Sequence, residues 1–168
     1  MLLLGGVPGR AVAEVMLTVS DAQVTEGESG FLDVYLSVPS GTPMLAFYMI
    51  ELKLSDQEGQ PPSGVRFVYD DPAKKEFGKA DRPVFTNTKA VQTTARPGLP
   101  GTIAAANDFL LAGEEPIMDG AGLFRLAFET SLGSQGVYSV IIETDELRTN
   151  LFDGLANPVT IQAFNTVQ

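Results

Sequence analysis

Leu32-Asp33-Val34-Tyr35-Leu36-Ser37-Val38 alternates apolar and polar side chains. In an extended chain this period of two puts Leu32, Val34, Leu36 and Val38 on one face and Asp33, Tyr35 and Ser37 on the other. A strand with one buried and one wetted face suits an antiparallel sheet packed on a single side. Several other segments repeat the pattern, and no stretch of comparable length shows a convincing helical period. The chain is expected to be all-β.

On the N-terminal side, Val15-Met16-Leu17-Thr18-Val19-Ser20 is a β-prone run that ends at the turn-forming Ser20-Asp21. On the C-terminal side, Pro39-Ser40-Gly41-Thr42-Pro43 breaks the strand. Leu45 to Leu54 follows, with Tyr48, Ile50, Leu52 and Leu54 sharing a face and Glu51 and Lys53 pointing away. Phe47 and Met49 make its outer face apolar at the start, as expected of a central strand covered on both sides there. Val65 to Tyr69 predicts a short strand. Asp70 to Pro83 reads as a short surface helix or an extended loop, after which Val84-Phe85-Thr86 resumes the sheet.

Arg96 to Gly101 is a turn cluster, and Thr102 to Asn107 predicts a strand of small side chains. Phe124, Leu126 and Phe128 alternate with polar or small residues, as do Tyr138, Val140 and Ile142 beyond a turn at Leu132–Gly136, so the two runs predict a hairpin. Pro158 to Ala163 closes the chain. Eight or nine strands of this kind predict an antiparallel two-sheet sandwich, Greek-key or jelly-roll, because isolated sheets would leave one apolar face wet.

Composition narrows the function. The 168 residues suffice for one sizeable core, and residues 14–168 read as a single domain. A formal charge of -10 repels phosphate backbones and anionic lipid headgroups, so nucleic acid and membrane surfaces are not expected as partners. The absence of His and Cys removes zinc sites and histidine general bases. Ala11-Val12-Ala13 followed by Glu14 fits a small-x-small cleavage site. Residues 1–13 therefore read either as a truncated secretory signal or as an ordinary N-terminal arm. No apolar run approaches the roughly 18 residues of a membrane span.

Four segments together resemble the cohesin-like domains of the carbohydrate-binding β-sandwich superfamily, as found in secreted bacterial surface proteins. They are Val24 to Val34, Leu45 to Leu52, Gly122 to Phe128 and Gly136 to Val140. Ala46 stands where such domains usually carry a Gly beside an aromatic. The resemblance spans most of residues 15–163 and implies a nine-stranded jelly-roll without catalysis, secreted or at the cell surface, that contacts protein or glycan. A second likeness is confined to Thr18–Gly30, which looks like the opening of a Calx-beta domain; the acidic Asp-Tyr motif and Glu-rich calcium segment of those domains do not follow.

The candidate site residues are few. Asp70, Asp71 and Asp81 form one acidic cluster and Glu114, Glu115 and Asp119 another, each a start toward the six to eight oxygens of a weak calcium site; no other cofactor is expected. Tyr35, Phe47 and Tyr69 are the aromatics placed for ligand contact, with packing beneath loops as the alternative. Glu51, Glu129 and Glu143 alternate outward, and nothing in the sequence pairs them across a cleft as glycoside hydrolysis requires. Ser29, between Glu28 and Gly30, has no base to activate it. The expected function is a non-enzymatic extracellular binding or scaffolding module with a protein partner. A polysaccharide partner is the alternative; a hydrolase-associated or calcium-dependent adhesion domain is the third reading.

Overall fold

The computed structural model describes residues 14–93 and 101–165, and these are built from strands and connecting loops. Residues 1–13, on which the signal reading rests, and most of the Arg96–Gly101 turn lie outside the described residues. No helix of the described residues is long and apolar enough to cross a membrane.

The strands are β1 (Glu14–Val19), β2 (Ser29–Ser40), β3 (Met44–Leu45), β4 (Phe47–Ser55), β5 (Val65–Val68) and β6 (Val91–Gln92) in the first half. The second half holds β7 (Ile103–Phe109), β8 (Glu115–Pro116), β9 (Ala121–Thr130), β10 (Ser139–Ile142), β11 (Asn150–Phe152) and β12 (Thr160–Asn165). Three of the twelve are two-residue pairings, leaving nine longer strands as expected. One sheet runs β12-β1-β2-β9-β5; the other runs β10-β4-β7-β6, with β11 also beside β4. All named pairs are antiparallel except β1 with β12, which is parallel.

Period-two burial is realised almost residue for residue. Leu32, Val34 and Leu36 of β2 face inward, and so do Tyr48, Ile50, Leu52 and Leu54 of β4. Phe124 is fully buried at the centre, its ring 6.2 Å from Tyr48 and 5.3 Å from Phe77. Tyr48 donates its hydroxyl to the Leu123 carbonyl at 2.9 Å, so the one polar atom it carries inward is satisfied.

Two expectations change, and one open alternative is decided. Phe124–Phe128 and Tyr138–Ile142 do not pair as a hairpin: β9 lies in the first sheet and β10 pairs with β4 in the second. Alternation reports which face is buried, not which neighbour a strand takes, so the crossover at Ser131–Tyr138 was invisible to it. Asp70–Pro83 takes the extended-loop form, with Asp71 capping its turn through the Ala73 and Lys74 N–H groups. It is more than surface, since its Phe77 and Ala80 reach the core.

Val84-Phe85-Thr86 does not resume a strand. The preceding segment makes only single bridges to β9, Gly78 with Arg125 and Pro83 with Gly122. Pro83 has no N–H to extend a ladder, and Arg82 sits at φ 50°, where a strand cannot continue. Val84 and Phe85 are nonetheless buried, Phe85 stacking at 5.8 Å from Tyr48.

Candidate interaction face

The outer faces of the two sheets differ in chemistry. On the first, Arg125 forms a two-pronged pair with Asp33 at 2.7 and 2.8 Å, reaches Asp81 at 3.3 Å and covers the Phe31 ring at 4.0 Å. Arg66 pairs with Glu129 beside them. This face satisfies its own charges. On the second, the register aligns Phe152, Phe47 and Phe109 in one row across β11, β4 and β7, and Asn150, Met49 and Asn107 in the next. Ile103 and Ile141 flank Lys53 farther along.

This second face is partly open to water. Phe109 is 48 % exposed, and Val91 and Ile141 are also exposed. Phe47 lies 5.9 Å from Phe152, and together with Phe109 and Leu111 they border a shallow basin of about 400 Å³. Leu111 stands 93 % exposed at its lip. The adjoining Gly113 takes φ +83°, a left-handed turn that a side chain would strain. The amide oxygens of Asn107 and Asn150, on either side of Met49, find no donor among the described residues.

Glu51 corrects its outward, solvated reading. It does lie on this face, but Arg148 from the β10–β11 connection folds over it at 3.2 Å to both carboxylate oxygens, leaving it 7 % exposed. Glu129 is taken by Arg66 on the opposite sheet, so these two acids cannot face each other across a cleft.

The aromatics picked out by sequence separate in space. Tyr35 is half-buried on the first sheet's outer face, opposite Thr18 and Gly122. Tyr69 packs edge-on against Phe77 at 5.3 Å, and burial raises its phenol above the usual range. Phe47 alone belongs to the basin. Sequence reasoning missed Phe109, Leu111 and Phe152. The odd positions of Ile103, Ala105, Asn107 and Phe109 carried the signal for the first, but Phe152 joins only through the pairing of β11 with β4.

The acidic candidates are held by separate partners. Asp70 meets Lys89 at 2.7 Å, Asp71 caps its own turn and Asp81 meets Arg125. Glu114 accepts from the Gly154 N–H at 2.9 Å, and Asp119 accepts from Ser37 and Val38 at 2.9 and 3.0 Å, which lowers its pKa. Glu115 is exposed in β8. No group of three or more acidic side chains able to hold a metal gathers among the described residues.

Asp108, on the inward side of β7, is the reverse case. It is 6 % exposed, and burial raises its pKa despite hydrogen bonds from the Thr88 hydroxyl at 2.7 Å and the Phe109 N–H at 2.8 Å. The folded state therefore binds a proton more tightly than the unfolded chain, whose carboxyl titrates near 3.8. Its contribution falls as pH rises from 3.8 through the higher folded value. Asp108→Asn should stabilise the protein relative to wild type at neutral pH, the gap closing toward pH 3.8 and below. Denaturant melts of both proteins across that window check the slope; a gap that does not change with pH contradicts it.

The two-sheet sandwich, in its strand order, is a cohesin-like fold. Solved structures similar to it include cohesins, at low sequence identity. The sixth cohesin of Acetivibrio cellulolyticus scaffoldin B, solved with a Cel5 dockerin mutant, matches at TM-score 0.62 and 13 % identity, covering 90 % of this chain and 98 % of that one. A type I cohesin–dockerin complex from Clostridium thermocellum matches at 0.62 and 12 %, covering 90 % and 94 %. The non-cellulosomal cohesin of the archaeon Archaeoglobus fulgidus matches at 0.59 and 12 %, covering 92 % and 89 %. No family model and no curated protein matches the sequence.

Proposed function

We propose that this chain is a non-catalytic, extracellular docking module that binds a folded protein partner through the outer face of the β10-β4-β7-β6 sheet. The carrying observation is the row Phe152–Phe47–Phe109, an aromatic strip at one end of the sheet's outer face with Leu111 exposed beside it. Aromatic side chains and Met are what protein interfaces concentrate at their cores, and an apolar patch left open on one face marks a contact site. The cohesins of Acetivibrio cellulolyticus and Clostridium thermocellum were solved with dockerins. A dockerin-type module is therefore the first partner to test.

The test is affinity capture from the source organism's secreted fraction, followed by calorimetry with the purified partner. Phe109→Ser combined with Phe152→Ser should weaken binding at least about tenfold, as loss of an aromatic anchor does. Phe109→Ser alone should change the melting temperature little, because Phe109 is half-exposed, and it serves as the folded control for the double variant. Equal binding by wild type and the double variant would remove this face from consideration.

A further inference from the structure

At the end of the sandwich opposite the aromatic basin, the two sheets part around a cleft of about 620 Å³. Leu32, Leu54, Val65, Phe128 and Val140 line it. Each keeps 3–8 % exposure, whereas Leu17, Leu36 and Leu126 at the centre have none, so the core reaches solvent here. Val24 and Tyr138 close the sides. Gly30 shapes the wall: a Cβ there would lie 2.6 Å from Val24 Cγ1 and 2.7 Å from Phe128 Cζ, so only a glycine lets both side chains settle over β2.

The cleft's two loops are tied to each other. The Gly133 N–H donates to Glu26 at 2.9 Å, and the Thr130 hydroxyl donates to the Thr25 and Glu28 carbonyls at 3.2 and 2.9 Å. Tyr138 donates to the Ser134 carbonyl at 3.1 Å, which holds its ring upright. Among the described residues, no Lys or Arg lines the cleft, and the one carboxylate, Glu26, is engaged with Gly133. The rim offers neutral groups from Gln23, Thr25, Ser134 and Gln135.

We infer that this cleft binds the alkyl chain of an uncharged amphiphile, with a hydroxylated head at the Gln23–Gln135 rim. The volume falls within the range of small-molecule sites, and aliphatic walls with neutral rim groups are the chemistry such a ligand needs. A charged head would find no free counter-ion among the described lining residues. Phe128, at 8 % exposure, offers no open face to a flat sugar ring. The site is distinct from the aromatic strip of the docking face, which lies at the far end of β4.

The experiment is methyl and amide NMR titration of the whole chain with n-octyl-β-D-glucoside below its micelle concentration, with methyl-β-D-glucoside and octyl sulfate as comparison probes. Saturable shifts at Val24, Val65, Tyr138 and Val140 are expected with octyl glucoside, at least tenfold weaker with each comparison probe. Val137→Trp, at an exposed rim position, should lower octyl glucoside affinity at least tenfold. Ser134→Phe serves the same purpose if that variant does not fold. Shifts confined to Phe47, Phe109 and Phe152, equal binding of methyl glucoside or octyl sulfate, or no saturable shift at all would overturn the inference.

Discussion

Phe124→Ala should lower the stability of this protein by about 3–5 kcal/mol, the range for emptying a large aromatic site in a packed core. Phe124 is fully buried in β9 and holds two other rings in place, Tyr48 from the opposite sheet and Phe77 from the irregular 69–84 segment. Tyr48 in turn meets Phe85. The lost ring thus removes contacts between both sheets and the segment that closes the sandwich, and strands pinned by hydrogen bonds cannot collapse to fill the gap. Domains of this size carry about 5–15 kcal/mol in total, so about a fifth or more of the stability is at stake. Equilibrium urea unfolding measures it. Phe31→Ala is the contrast: that ring is 53 % exposed and held mainly by Arg125, so its loss should cost about 1 kcal/mol or less. Similar losses from the two substitutions would mean that the core is not centred on Phe124.

Gly122→Val is expected to cost about 3 kcal/mol, the upper end of what overpacking exacts. A Cβ at Gly122 would stand 2.5 Å from the Ala80 Cβ and 2.5 Å from the Asp81 carbonyl oxygen. One of those atoms is backbone and cannot rotate aside. The 78–84 segment is also held to this strand by reciprocal hydrogen bonds: Val84 N–H to the Gly122 carbonyl at 2.8 Å and Gly122 N–H to the Arg82 carbonyl at 2.9 Å. To admit a side chain, the segment must lift and expose Val84 and Phe85. Thermal melts should show the loss, with hydrogen exchange at Gly122 and Val84 rising more than at the β2 amides. The same substitution at Gly59, where nothing lies within 4 Å, would create no clash and should cost less despite its φ of +80°.

How much of this was legible beforehand depends on which physical signal each feature left. Leu32, Val34 and Leu36, or Ile50 and Leu52, announce their burial because side chains in a strand alternate strictly and water sorts them. Phe77 left no such mark. It lies among Lys74, Lys75, Glu76 and Lys79, a local composition that reads as surface, and only the fold of the loop onto β9 carries it inward. Glu51 misled in the opposite direction, since its burial depends on Arg148, 97 residues away.

The candidate face was half legible. Phe47 stood out as an apolar residue on the wrong side of its own strand. Its neighbours Phe109 and Phe152 are 62 and 105 positions away in sequence, brought alongside by the β4–β7 and β4–β11 pairings.

The amino-acid order by itself determined that the chain is a β-sandwich, which side of each long strand is dry, and that neither His nor Cys chemistry is available. Those are properties of neighbouring residues and of composition. Which strands share a sheet, which outer face stays apolar, and where the core opens into a cleft were decided by tertiary structure. Pairing and loop crossing bring together residues whose separation no local pattern records, and a surface exists only once the second layer has covered the other side.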